Sequence, residues 1–246
     1  MMMDITQLYD FSNFCAVVTG GAGVLCAEMC RALADLGAKV AILDLNQANA
    51  DKLAEELRQS GGTALGVACN VLDKESVKAA CEQVLVAFGK VDILINGAGG
   101  NKAQATTSAE LSFFDLPQDA LRWVFELNLL GTILPSQVFG KVMAERGQGV
   151  ILNISSMNAF RPLTRIPAYS AAKAGVSNFT QWLAVHLAQE YSANIRVNAI
   201  APGFFVTEQN RFLLADKQTG ELTPRGKTII GHTPMSRFGT PEDLIG

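Results

Sequence analysis

The 246-residue sequence has only two histidines, His186 and His232, and they lie too far apart to share a metal. Its five cysteines are Cys15, Cys26, Cys30, Cys69 and Cys81; they are odd in number, lack a CxxC spacing and sit in apolar or helical stretches. That pattern predicts buried, reduced thiols, not a disulfide framework or a zinc site. No apolar run is long enough to cross a bilayer, and residues 1–10 carry neither a basic region nor an apolar one. Neither a membrane span nor a secretory leader is therefore expected. Charge of one sign is also lacking: 20 Lys and Arg stand against 23 Asp and Glu, a formal net of −3. This gives no electrostatic reason to expect nucleic acid or an anionic membrane as a partner. The expectation is a metal-free, cytoplasmic protein whose partner is a small molecule.

What is abundant is apolar residues, 49% of the chain, enough for a large core. They come in alternating patterns. Residues 14–19 (FCAVVT) read as a buried strand ending at a glycine cluster, after which Leu25, Met29, Leu33 and Leu36 recur at helical spacing until Gly37. Further strands are predicted over residues 39–43, 64–68, 91–95, 150–154 and 195–200. Helices are predicted over residues 47–59 and about 74–88, 118–146 and 168–191. Strand and helix alternate six times, with strand runs apolar enough to be covered on both faces. The predicted fold is α/β: a single domain over residues 1–246, built as a doubly wound, Rossmann-type parallel sheet with helices on both faces. A last helix is predicted to begin at Pro241, with Thr240 as its N-cap.

In such a sheet, ligands bind beyond the carboxyl ends of the strands. The first of these ends is Thr19-Gly20-Gly21-Ala22-Gly23-Val24-Leu25-Cys26, a glycine-rich turn into a helix. Glycines let the backbone turn tightly and let a pyrophosphate approach, and the helix N-terminus offers free N–H groups. Asp44 closes the second strand, 24 residues beyond Gly20, where a carboxylate can accept both ribose hydroxyls of adenosine and would repel a 2′-phosphate. NAD (NADH) is expected over NADP. At later strand ends lie Ser156 and a Tyr169–Lys173 pair one helical turn apart, and Asn128 lies within the helix predicted over residues 118–146.

Together these pieces resemble the short-chain dehydrogenase/reductase superfamily from about Phe11 onward. They are the Thr19-Gly20 turn, Asp44, Asn96-Gly97-Ala98-Gly99, Asn128, Ser156, Tyr169-Ser-Ala-Ala-Lys173 and Pro202-Gly203-Phe-Phe-Val-Thr207, with Ser156 preceding Tyr169 by 13 residues. The resemblance implies that Tyr169 is the general acid/base. An ordinary phenol ionises near 10, so work near neutrality asks its surroundings for roughly 4 kcal/mol. The Lys173 ammonium and the positive nicotinamide ring are expected to lower it. Lys173 would also hold the nicotinamide ribose, Ser156 the substrate oxygen, and Asn128 a water joining Lys173 to solvent. The implied cofactor positions are Gly20, Gly23, Val24, Leu25, Asp44, Asn70, Val71, Asn96, Ala98, Tyr169, Lys173, Pro202, Gly203 and Thr207. Phe205 reads more readily as an apolar filler beside them.

Two departures from the superfamily pattern matter. In place of TGxxxGxG, Val24 and Cys26 occupy the last two glycine positions and Gly23 comes one residue early, so side chains should crowd the pyrophosphate or the helix–strand contact. Second, the resemblance implies a further strand beyond residue 246, so the expected sheet has six strands, lacks the superfamily's usual C-terminal strand and exposes an edge. Residues 204–234 would form a lid. Asn96-Gly-Ala-Gly-Gly-Asn101, Ser156-Met-Asn158 and Phe205-Val-Thr-Glu-Gln-Asn-Arg211 resemble the D-mannonate oxidoreductase, or fructuronate reductase, branch, itself similar in its TGGxGVL turn. Asn and Arg side chains together suit a polyhydroxylated acid, since a guanidinium can grip a carboxylate with two hydrogen bonds: Arg211 is the candidate carboxylate ligand and Asn158 the candidate hydroxyl ligand, with Arg161 and Arg165 as lesser candidates; Lys102 reads as surface. A gluconate 5-dehydrogenase-like enzyme, a 3-oxoacyl-thioester reductase and an NAD-binding scaffold without turnover stay open as alternatives. A homo-oligomer, tetramer or dimer, is expected through the helices predicted over residues 118–146 and 168–191.

Overall fold

The computed structural model describes residues 9–161, 164–206, 214, 216 and 219–245. The chain divides into two compact units, Met1–Ala201 and Pro202–Gly246. In the first, β1 (Cys15–Thr19) leads through the glycine turn into α1 (Val24–Asp35), then β2 (Lys39–Asp44), α2 (Gln47–Gln59), β3 (Thr63–Ala68), α3 (Lys74–Phe88) and β4 (Ile93–Asn96). After a loop with two short 3₁₀ turns come α4 (Gln118–Phe125), a π-helical turn (Glu126–Leu130), α5 (Gly131–Arg146), β5 (Gly149–Ile154), α6 (Pro167–Glu190) and β6 (Ile195–Ile200).

Local chemistry sets these boundaries. The Asn46 side chain accepts from Asn49 N at 3.2 Å to start α2, and Asp73 accepts from Glu75 N at 3.0 Å to start α3. Gly89, at φ 79°, ends α3 in the left-handed conformation. The helix expected over residues 118–146 runs unbroken between those bounds, but five of its residues, Glu126–Leu130, widen into a π turn that the sequence reading did not foresee. Pro135 lies inside α5, where it has no N–H to give and its ring crowds the preceding turn. The wide turn just ahead takes up the irregularity, with Gly131 N bonding Glu126 O five residues back.

The six strands are all parallel, in the order β3-β2-β1-β4-β5-β6. β1 and β4 are buried along their whole length, which explains their unbroken apolar runs. Phe139 and Met143 of α5, both fully buried, share one core with Ile151, Ile195 and the α3 residues Val77, Ala80 and Val84. Truncating Phe139 to alanine would cost about 3–5 kcal/mol. In register, Thr19 lies beside Leu43 and Asn96, and Asn96 lies beside Asn153. The strand order reverses between β1 and β4, so the crevice for a ligand opens at those carboxyl ends. β6 is paired on one side only among the described residues.

In the second unit, α7 (Pro224–Gly231) starts at Thr223, whose side chain accepts from Gly226 N. The segment expected to begin a helix at Pro241 is a 3₁₀ turn, Pro241–Leu244. Its Thr240–Asp243 capping box is real, and Arg237 grips the Asp243 carboxylate through two bonds of 2.6 and 2.7 Å. The Phe205 ring lies against Gly239, as an apolar filler would.

Candidate active site

The glycine turn closes tightly on the neighbouring strand end. Gly20 has φ +61°, and a Cβ there would lie 2.8 Å from Ala98 Cα, so only glycine fits. Gly23 is the N-cap of α1 and no side chain caps it, which leaves the helix N-terminus open. Val24 is 42% exposed, so it stays clear of the helix–strand contact; Cys26 is 6% exposed and faces inward against residue 97. The crowding expected at these two positions is thus divided between solvent and a glycine. Asp44 accepts from Ala22 N at 3.3 Å and from Asn46 N at 3.0 Å, which fixes its carboxylate beside the turn.

Asn96 and Ala98 behave differently from each other. Ala98 N and Gly97 N both donate to Thr19 Oγ1, at 3.3 and 3.1 Å, so a fully buried threonine holds this loop to β1. The Asn96 side chain, 1% exposed, turns inward and donates to Ser136 Oγ and Asn153 Oδ1, at 2.9 and 2.8 Å. Its own Oδ1 has no partner among the described residues. Asn153 passes the chain on to Thr180 at 2.9 Å. On the other side, Ser136 Oγ donates to Thr132 O and Thr132 Oγ1 to Asn128 O. Thr19 was named in the sequence only as part of the glycine turn, and none of Thr132, Ser136, Asn153 or Thr180 was singled out. Their only signal was a polar residue inside an otherwise buried run. Asn70 lies exposed after β3, with its backbone N–H bonded to Ser76 Oγ, and Val71 packs beneath it near Gly131.

Asn128 lies in the π turn, fully buried. Its Oδ1 accepts from Gly100 N at 3.1 Å and its amide donates to Gly100 O and Val124 O, both at 2.7 Å. Lys173, 4% exposed, donates to Ile154 O at 2.6 Å, and its ammonium lies 5.7 Å from the centre of the Tyr169 ring. A Cβ on Gly99 would lie 2.8 Å from Asn128 Oδ1 and 3.4 Å from Lys173 Nζ. Residue 99 is therefore where the loop, the amide and the amine meet. Tyr169 is hydrogen-bonded to Ser156, whose Oγ also accepts from Asn158 N and Nδ2, both at 3.3 Å. Asn158 is buried beside the serine, whereas Arg161 and Arg165 are exposed.

Burial pushes the Lys173 amine down to about 8. It pushes the Tyr169 phenol up, and the Ser156 hydrogen bond offsets only part of that. Among the chain's own groups desolvation outweighs the lowering expected of Lys173; the positive nicotinamide ring is the other half of that expectation. All five thiols are buried and free, and burial raises Cys15 and Cys26 to about 12. Pro202, Gly203 and Phe205 belong to the second unit; Thr207, Gln209, Asn210 and Arg211 lie outside the described residues. Lys102, expected as plain surface, holds its ammonium 4.7 Å from the centre of the Trp123 ring.

A doubly wound sheet with an open helix N-terminus and an acid at its first two strand ends defines a dinucleotide-binding class. Residues 15–218 match the short chain dehydrogenase family, and the chain belongs to it. It is similar to an "Uncharacterized oxidoreductase UxuB" of Bacillus subtilis, 50% identical over 94% of this chain and 84% of that protein. An "Uncharacterized oxidoreductase" of Haemophilus influenzae is 48% identical over 99% of this chain and 88% of that one. Among solved structures, a "putative D-Mannonate oxidoreductase from Haemophilus influenza" with bound NAD superposes with a TM-score of 0.91 at 48% identity. It covers 99% of this chain and 89% of that one. Among the described residues, no helix is long and apolar enough to cross a membrane.

Proposed function

We propose that the protein is an NAD-dependent oxidoreductase that interconverts a ketone and a secondary alcohol, with D-fructuronate and D-mannonate as the pair. The observation that carries this reading is the buried Lys173 amine beside the Tyr169 ring, with Ser156 bonded to Tyr169. Strongly perturbed groups that no carboxylate neutralises are what a proton-transfer site requires.

The residues at the first two strand ends fit a dinucleotide. The open N-terminus of α1 suits a pyrophosphate, and a Cβ at Gly20 would close the cradle that its absence leaves. The Asp44 carboxylate suits the ribose hydroxyls and disfavours a 2′-phosphate. When bound, NAD or NADH supplies the hydride acceptor or donor. The chain's own groups handle the proton and the developing charge. Tyr169, protonated at neutral pH, is ready to give its proton to the oxygen of a ketone, and Ser156 hydrogen-bonds that oxygen as charge builds on it. Lys173 holds the ribose and adds positive charge beside the phenol, and Asn128 holds a water that joins Lys173 to solvent. Asn158, gripped by Ser156, suits a sugar hydroxyl. The carboxylate contact is assigned to Arg211 from its guanidinium chemistry and its place in the sequence.

A panel of D-fructuronate, 5-ketogluconate and a 3-oxoacyl thioester, each with NADH and NADPH, tests the proposal. Oxidation of NADH with fructuronate at the highest kcat/KM is expected. Preference for another ketone overturns the substrate, and NADH binding without turnover on any of them overturns the enzyme. The same reading includes a cytoplasmic location and a homo-oligomer, dimer or tetramer. The oligomer draws support from the exposed apolar stripe on α6, where Trp182 stacks on His186 at 4.7 Å and Val185 and Tyr191 are open. Light scattering that gives a monomer would remove it.

A further inference from the structure

Cys26 and Gly97 are far apart in sequence, yet one occupies space that the other gives up. A Cβ built on Gly97 would collide with Cys26 Sγ, and its next neighbour would be Thr19 O at 2.9 Å. Cys26 is on the first turn of α1 and 6% exposed, with one side-chain torsion and little room to turn it. Its thiol is uncharged at any working pH, since burial raises it to about 12. Its effect here is through shape. On the far side of Gly97, Gly99 abuts Asn128 Oδ1 and Lys173 Nζ, and Gly100 exchanges two hydrogen bonds with Asn128.

We propose that Cys26 is a positioning residue: by filling the place of a side chain on residue 97 it sets the backbone of residues 97–100. That backbone in turn places Asn128 and Lys173 for proton transfer. The departure from glycine at position 26 is then half of a complementary pair, and α1, the helix that opens the dinucleotide turn, is mechanically joined to the proton-handling groups. The inference rests on the reading of Asn128, Lys173 and Tyr169 as the reacting site.

A double-mutant cycle tests it. Gly97→Ala alone is expected to weaken NADH binding and lower kcat at least tenfold, and to shift the pH limb of kcat because Lys173 and Asn128 are displaced. Cys26→Gly alone, which removes the stop against residue 97, is expected to lower kcat and move the pH limb in the same direction, by a smaller factor than Gly97→Ala. The double variant Cys26→Gly/Gly97→Ala should regain most of the loss and return the pH limb to its original position, the 2.9 Å approach to Thr19 O keeping recovery incomplete. Should Gly97→Ala fail to fold, recovery of soluble, cooperatively melting protein in the double variant reads the same coupling. Additive losses in the cycle, or a Gly97→Ala variant that behaves as wild type, overturn the pairing. A pH limb that never moves overturns the positioning role. Melting and NADH titration need no substrate, so these outcomes stay separate from failure of the fructuronate assignment.

Discussion

At the amino ends of the strands, Asp92 is buried with its charge fully answered. Its carboxylate accepts from Cys15 N at 2.8 Å, pairs with Lys90 at 2.9 Å and with Arg146 at 3.0 Å. At the carboxyl ends, Lys173 is buried with a single carbonyl acceptor and no carboxylate beside it among the described residues. The same sheet therefore handles buried charge in two ways. Burial alone would raise Asp92, but its three partners outweigh that and hold it below the ordinary carboxylate value. Nothing comparable rescues Lys173, which falls to about 8. Breaking the Asp92 cluster would leave a buried charge unpaired, which is costly, whereas the Lys173 amine has no carboxylate to hold its proton, which suits the proton transfer proposed for it.

Three substitutions can break that contrast. Lys173→Met should lower kcat by about three orders of magnitude without lowering stability at pH 7. In the native protein Lys173 binds fewer protons than in the unfolded chain between pH about 8 and 10.5, so its contribution to stability rises with pH across that range. Denaturant melts of the variant should lack that rise; a variant that melts far below wild type would erase the distinction. Asp92→Ala should do the reverse, costing on the order of 3 kcal/mol at pH 7, about two decades in the folding equilibrium, with turnover per folded molecule unchanged. Its native carboxyl is held low, so the stability it provides is present above the ordinary carboxylate value and is lost as pH falls through the lowered one. Asp44→Ala should move the NADH to NADPH preference by about tenfold; an unchanged ratio of kcat/KM values would detach Asp44 from the ribose site.

Much of this was legible in the sequence because it follows from periodicity. Strands buried on both faces read as unbroken apolar runs, and Tyr169 and Lys173 fall on one helix face by spacing alone. The π turn was not legible, since a one-residue widening leaves the apolar pattern of residues 118–146 almost unchanged while it reorients Asn128. The inward turn of Asn96 was hidden for a different reason. Its partners Ser136 and Asn153 come from other elements: the register of β4 on β5 brings Asn153 beside it, and the packing of α5 brings Ser136. Cys26 looked like an obstacle because glycine was expected there, and its relief, the glycine at 97, is visible only in three dimensions. The upward pull of burial on Tyr169 was not legible, because spacing shows which charges lie near a phenol and not how deeply it is buried.

The account stands or falls on the phenol of residue 169 as the proton donor. Single-turnover oxidation of NADH by Tyr169→Phe, with whichever ketone the substrate panel selects, tests it most directly. The predicted result is a rate reduced by about 10³-fold or more with the NADH dissociation constant within a few-fold of wild type. A rate within tenfold of wild type would contradict it.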